Sequence, residues 1–253
     1  MMAVKESAPT DAPGIGRRGE SSGKTVAILQ SNYVPWKGYF DLMGAADEFI
    51  LYDDVQYTKH DWRNRNRLKS PAGVRWLTIP VQVKGRHGQR IDEAKVSDPG
   101  WSSRHWETIR TWYGRAPFFD YYRLVLEDMY LGSCDDPYLS EVNRRFLEKL
   151  RDLLGIATPL TRSSEYPSTG CRIERLLDIC HAAGATRYLS GPAAQKYLDM
   201  DRFYEDGIEV VWMSYDGYPE YPQLYPPFEH RVSVLDLLLN VGEEAPLYML
   251  GGQ

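Results

Sequence analysis

Unbroken apolar runs alternate along this chain with stretches whose apolar residues recur at helical spacing. "TVAIL", at 25–29, is short and β-branched, which predicts a strand covered on both faces. "WKGYFDLMGAAD" follows a polar loop and spaces Tyr39, Phe40 and Met43 for one face of a short helix. "EFILYDDV" predicts a second buried strand, so strand, helix and strand make a βαβ unit with a right-handed crossover. "RNRNRLKSPAGVRWLTIPVQV" predicts two strands joined at the Ser70–Gly73 turn, the second over Arg75–Val83. From Trp101 to about 155 the pattern is helical. "WSSRHWETIRTWYG" puts Trp101, His105, Ile109 and Trp112 on one face, and "DPYLSEVNRRFLEKLRDLLG" runs from an Asp-Pro start to Gly155. Beyond it come a helix ending at Gly184, the strand "TRYLSG", the strand "EVVWM", and a last helix, "VSVLDLLLNVG", closed by a glycine. The class is α/β: a Rossmann-like, largely parallel sheet flanked by helices, with a helical insertion or cap at about 101–155. Residues 1–23 are polar, rich in Gly, Pro and Ser, and aperiodic; they predict a disordered tail ahead of one domain at 24–253.

Composition changes this picture little. A chain of 253 residues, 43% hydrophobic and 26% charged, has enough apolar material for one sizeable core. No apolar run approaches the roughly 18 residues of a membrane span, and no leader-like apolar segment opens the chain, so a cytoplasmic protein without membrane partners is expected. The three cysteines, Cys134, Cys171 and Cys180, form no CxxC pair and suggest neither a zinc site nor a disulfide framework. A net charge of −5 argues against a dedicated nucleic-acid binder. The aromatic content, with 18 Tyr and 7 Trp, exceeds what core packing asks for.

Ligands of open α/β sheets bind outside the carboxyl ends of the strands, and four unusual stretches follow predicted strands. The first, "QSNYVPWKGY", offers Gln30, Asn32, Tyr33, Trp36, Lys37, Gly38 and Tyr39. Gly38 at a helix start either admits an anion or allows close packing. The second runs from Asp53 and Asp54 through Lys59 and His60 to Arg63, Asn64, Arg65 and Asn66. Its paired acids suit a base, a metal ligand or a partner for ribose, and its arginines suit a bidentate clamp on phosphate or carboxylate. The third is Ser190 and Gly191. The fourth, "YDGYPEYPQLYPPFEHR", contains Tyr221, Gln223 and His230. Together they predict one cleft lined by aromatic and polar groups. His60 is the first choice as general base and His230 the second, with Asp53 or Asp54 orienting the base or the nucleophile. Asn64 or Asn66 would hold an oxyanion, and Tyr33, Trp36, Tyr39 and Tyr221 would stack on the substrate. His105 and His181 lie in helical patterns and read as structural. P-loop, G-x-S-x-G, H-E-x-x-H and G-x-G-x-x-G signatures are absent, and no cofactor is indicated.

"QSNYVPWKGYF", "DDVQYTKHDWRNRN", "WLTIPV", "YLSGPAA" and "YPEYPQLYPPFEHRVSVLDLLLN", in that order, resemble the WbqC-like protein family over the chain from about 24 to its end. That resemblance implies a bacterial cytoplasmic protein encoded among O-antigen or specialised-metabolite genes, and it brings no assigned reaction. The opening βαβ unit also looks like the nucleotidyltransferase-type α/β fold. Trp36, Lys37, Gly38 and Tyr39 occupy the four places of that fold's H-x-G-H signature, and only Gly38 matches. The expected activity is transfer of an acyl or aminoacyl group onto an amine, with a small-molecule, sugar or carrier-bound substrate and with a carrier protein as a candidate partner. A nucleotide-dependent enzyme and a non-catalytic binding protein are the alternatives.

Overall fold

The computed structural model describes residues 23–132, 136–170 and 172–252; the expected tail, Cys134 and Cys171 therefore lie outside the described residues, apart from Gly23. Five strands form one sheet: β1 (Lys24–Leu29), β2 (Glu48–Leu51), β5 (Leu160–Arg162), β6 (Ala185–Ser190) and β7 (Glu209–Trp212). Their order is β5-β2-β1-β6-β7, and every neighbouring pair is parallel. The strand order reverses on either side of β1, so the carboxyl edge beside β1 is the switch point at which such sheets bind ligands. β1 and β2 are apolar runs with little exposure, as two-sided burial requires.

The hairpin β3 (Arg65–Ser70) and β4 (Gly73–Thr78) stands apart from this sheet. Its turn is fixed by Ser70, whose hydroxyl donates to the Gly73 carbonyl and accepts from Ala72 N–H. β4 ends at Thr78, short of the expected 83: Ile79 N–H instead bonds the Asn64 carbonyl, and Pro80 cannot donate. The helices are α1 (Lys37–Gly44), α2 (Trp101–Tyr113), α3 (Phe119–Glu127), α4 (Leu139–Leu153), α5 (Ile173–Ala182), α6 (Met200–Glu205) and α7 (Val234–Val241). The hairpin and α2 to α4 all lie in the crossover from β2 to its parallel neighbour β5.

One apolar cluster takes in Phe40, Met43, Phe49, Trp101, Trp106, Phe146 and Leu235 from α1, β2, α2, α4 and α7. The helical block at 101–155 thus builds the larger core together with the sheet. A smaller cluster, with Val26, Ile50, Leu177 and Phe203, packs α5 and α6 against β1 and β2. Within the larger cluster sits a polar chain. Tyr130 and Tyr33 hydroxyls lie 2.9 Å apart, and the Tyr33 hydroxyl lies 2.8 Å from His105 Nδ1. His105 Nε2 is 3.1 Å from the Thr78 carbonyl, which can only accept, so the proton is on Nε2 and Nδ1 accepts from Tyr33. Burial lowers the His105 pKa to about 4 and keeps the ring neutral. His105 is structural, as its helical spacing suggested.

Candidate active site

The carboxyl ends of β2 and β5 open into a small cleft, of about 30 Å³, lined by Asp53, Asp54, Asp92, Ser140, Arg144, Arg162 and Ser163. Asp53 is 7% exposed and accepts a 2.8 Å bond from Ser31 N–H on the neighbouring β1 loop. Burial is the main influence on it and raises its pKa to about 6, against the opposing effects of the Ser31 hydrogen bonds and Arg63. Asn143 of α4 donates both to the Ser31 hydroxyl, at 3.0 Å, and to the Arg63 carbonyl, at 2.8 Å. The buried amide of Asn143 thereby fixes Ser31, and Ser31 fixes Asp53.

Asp54 has a different neighbourhood. Ser163 donates to it at 2.6 Å, and Arg175 of α5 closes an ion pair on its other oxygen. Two adjacent carboxylates therefore divide their roles: Asp54 is neutralised by a guanidinium, while Asp53 is buried with a pKa near neutrality. On the facing wall Arg162 is held by Glu141 through two bonds of 2.6 and 2.7 Å, and Arg144 pairs with Glu148. The cleft offers carboxylates on one side and guanidinium groups on the other.

The first loop supports this site more than it lines it. Arg63 donates to the side-chain oxygens of both Gln30 and Asn32, which ties the β1 loop to the segment after β2. Tyr39 is buried, and its hydroxyl donates to the Gln30 carbonyl at 3.1 Å. Tyr33 is wholly enclosed in the polar chain above, so it grips no substrate. Val34 next to it has φ of +35°, strained for a β-branched residue, and its side chain is wholly buried. Three flanking hydrogen bonds hold this loop: Tyr33 N–H to the Trp62 carbonyl, Asn66 Nδ2 to the Tyr33 carbonyl, and Val234 N–H to the Pro35 carbonyl.

Several expected roles are corrected by this geometry. His60 is exposed on a turn with φ of +58° and does not line the cleft; its carbonyl accepts from Arg65. Asn64 and Asn66 are buried, each giving one amide N–H to the Ile79 and Tyr33 carbonyls respectively, and neither lines the cleft where an oxyanion would form. Arg65 stacks over Trp76 at 4.1 Å. Tyr221 and Gln223 each donate to buried Asp236 at 2.6 Å, as Tyr113 does, and so clamp the 215–231 segment onto α7. Ser190 is buried, with its carbonyl bonded to Met213 N–H. Lys59 lines a separate cleft.

A third group surrounds the start of α1. The Trp36 ring lies so close to Gly38 that an added Cβ would come within 2.4 Å of it, which selects the close-packing role for this glycine. Lys37 is 2% exposed. It donates to the Tyr248 carbonyl at 2.9 Å and sits 4.3 Å from the centre of the Tyr218 ring. Burial lowers its pKa to about 8, partly offset by Asp41. Trp36 meets Tyr215 and Tyr218 edge-on, and Tyr215 faces Gly191. His230 packs against Phe228, and burial followed by Lys37 lowers its pKa. The predicted single cleft is thus divided: Asp53 and Asp54 line one cavity, and the aromatic residues form a packed wall beside β1. Cys180 is buried, and its thiol pKa is pushed up to about 12, which removes it as a nucleophile.

Ser31, Asp92, Asn143, Arg144, Arg162 and Ser163 complete the site without having been singled out in the sequence. Ser31 carried a positional signal, since it lies in the polar stretch after β1; Arg162 and Ser163 stand at the end of a strand that the sequence does not mark, and the other three carried no signal.

The family model of the WbqC-like protein family matches residues 30–248. Rv1507c of Mycobacterium tuberculosis (strain ATCC 25618 / H37Rv) is 49% identical over 226 residues, which cover 89% of this chain and 97% of that protein. No solved structure matches. The match takes in every element that builds the cleft except β1, and with it the loop, the hairpin and the C-terminal clamp: the chain belongs to the WbqC-like protein family.

Proposed function

We propose that the chain is a cytoplasmic transferase that moves an acyl or aminoacyl group onto an amine, in polysaccharide (O-antigen) or specialised-metabolite assembly, with Asp53 as its general base. The observation that carries this reading is the environment of Asp53: a buried carboxyl with pKa raised to about 6, in a cleft at the carboxyl end of β2. Such a group accepts a proton at neutral pH better than an ordinary carboxylate. Asp54 is paired with Arg175 and Asp92 with Arg90, so Asp53 is the carboxylate left to receive the acceptor, which enters the cleft as a neutral amine. Arg144 and Arg162 hold an anionic part of the same or the second substrate. In the reaction the amine nitrogen forms the new C–N bond. Its proton passes to Asp53, the bond from the carbonyl carbon to its carrier atom breaks, and Asp53 returns the proton to that leaving atom. The nucleotide-dependent reading is disfavoured by Trp36, which covers Gly38 where a phosphate would meet α1, and by Lys37, which is directed to backbone carbonyls.

The test is to incubate the protein with acyl and aminoacyl thioesters and a panel of primary amines and to follow amide formation by mass spectrometry. Turnover should rise with pH around 6, and Asp53→Asn should lower it by about 10²–10⁴-fold. Amide formation that is independent of Asp53 would sink this reading.

A further inference from the structure

A second cleft, of about 260 Å³, lies between two segments: one wall carries Gln56, Tyr57 and Lys59, and the other Arg86, His87 and Gln89. Residues 55–60 and 81–91, which supply these walls, contain no carboxylate. Lys59, Arg86 and His87 meet no carboxylate at ion-pair distance among the described residues, whereas Arg90 nearby is held by Asp92 at 2.6 Å. Lys59 and Arg86 are thus unneutralised cations in a chain of net charge −5, with the His87 imidazole beside them. Gly85 and Gly88, with φ of +73° and +77°, carry Arg86 and His87 on a tight turn, and an added Cβ would touch nothing at either glycine. The Gln89 amide oxygen is shielded from solvent without a partner, while its nitrogen donates to the Gln82 carbonyl at 2.9 Å.

The two clefts stand at opposite ends of one short ribbon. Tyr57 N–H bonds the Gln89 carbonyl, Ile91 N–H the Val55 carbonyl, and Asp92 N–H the Asp53 carbonyl, each at 2.9 Å. Gln56 and Arg90 form an antiparallel bridge between them. Six residue steps at about 3.3 Å each set an upper bound of about 20 Å on the path from Asp53 to Lys59, which bends at Asp54 and Val55.

We propose that the cationic cleft binds the phosphate-bearing end of an extended donor whose reacting carbonyl lies at Asp53. The second half of this statement rests on the transferase reading; phosphate binding at the cleft does not. Two sources carry the required chemistry, a phosphopantetheine-type arm and a nucleoside diphosphate. The arm places a thioester far from its phosphate and suits the separation of the clefts.

Isothermal titration of the full chain with coenzyme A, ADP, inorganic pyrophosphate and pantetheine, which lacks phosphate, tests the proposal. The three phosphate-bearing probes should bind, and Arg86→Glu with His87→Ala should weaken each by at least about tenfold, since charge-assisted bonds are lost and a like charge is introduced. Both residues are exposed, so the fold should survive, and circular dichroism checks that it does. Coenzyme A binding much more tightly than ADP identifies the arm; equal binding identifies the phosphates alone. Binding that resists Arg86→Glu, or no binding of any phosphate probe at millimolar concentration, would overturn the proposal. Asp53→Asn serves as the separating control. It should leave pyrophosphate binding unchanged, so a failure of the transferase chemistry would not count against the phosphate site.

Discussion

Replacing Asp53 by Asn should make this protein more stable at neutral pH. Burial raises the carboxyl pKa from 3.8 to about 6. A displacement of that size, at about 1.4 kcal/mol per pH unit, means that the ionised group costs the fold up to about 3 kcal/mol at pH 7. The sign follows from proton counting. Between 3.8 and 6 the folded state holds a proton that the unfolded state has released, so this group adds stability as the pH falls through 6. Asn is nearly the same size, and its amide oxygen can still accept the 2.8 Å bond from Ser31 N–H. The value of about 6 already contains the Ser31 bonds and the attraction to Arg63, so the expected gain is up to about 3 kcal/mol at pH 7. For a chain of this length that is up to about 6–12 °C in melting temperature.

Urea denaturation of both proteins at intervals from pH 7.5 to 4 is the assay. Glu48, Glu141 and Asp206 have lowered pKa values and lose their contributions in acid in both proteins. The informative quantity is therefore the difference between the two curves. It should be largest above pH 6 and close to zero near pH 4. A difference that stays constant with pH, or a variant less stable than the parent at pH 7, would refute the account of Asp53 as a strained, buried carboxylate, and the proposed base would lose its physical basis.

Gly38→Ala should destabilise by about 1–3 kcal/mol in urea, although Ala is the better helix former, because the new methyl must displace the Trp36 ring; a stabilised variant would contradict that packing. Tyr221→Phe should cost about 1.5–3 kcal/mol by removing a bond to the buried Asp236 carboxylate, while leaving KM unchanged because the residue does not line the cleft. Lys37, with a pKa lowered from 10.5 to about 8, makes stability rise with pH between those values by at most about 3 kcal/mol, and Lys37→Met should flatten that rise in thermal melts. His60→Gly should stabilise slightly, by up to about 1 kcal/mol, because φ of +58° suits glycine, and it should leave turnover and its pH profile intact; loss of activity would return His60 to the chemistry.

How legible the molecule was in its sequence depends on whether each feature has a local cause. β1 and β2 were readable because two-sided burial demands unbroken apolar runs, "TVAIL" and "EFIL", and β6 and β7 were readable from the shorter runs "YL" and "VVW". The helix ends were readable where Gly155, Gly184 and Gly242 adopt left-handed φ values. β5 was not. It has three residues, "LTR", none fully buried, and lies at the sheet edge, so neither alternation nor an apolar run marks it. That omission mattered for the site, because Arg162 and Ser163 stand at the end of β5 and form the wall opposite Asp53. Asp53 itself could be found, since paired acids directly after a buried strand are unusual on solvation grounds alone. Its raised pKa could not, because it comes from burial by segments distant in the sequence, which outweighs the opposing hydrogen bonds from Ser31. The aromatic excess misled for a related reason. Tyr113, Tyr221 and Tyr33 carry hydroxyls that satisfy buried polar groups, so they look like a binding surface in the sequence and serve as internal hydrogen-bond donors in the fold. Where a site is assembled by crossover topology, sequence pattern locates the strand that ends in it and leaves its opposite wall to be discovered from the sheet order.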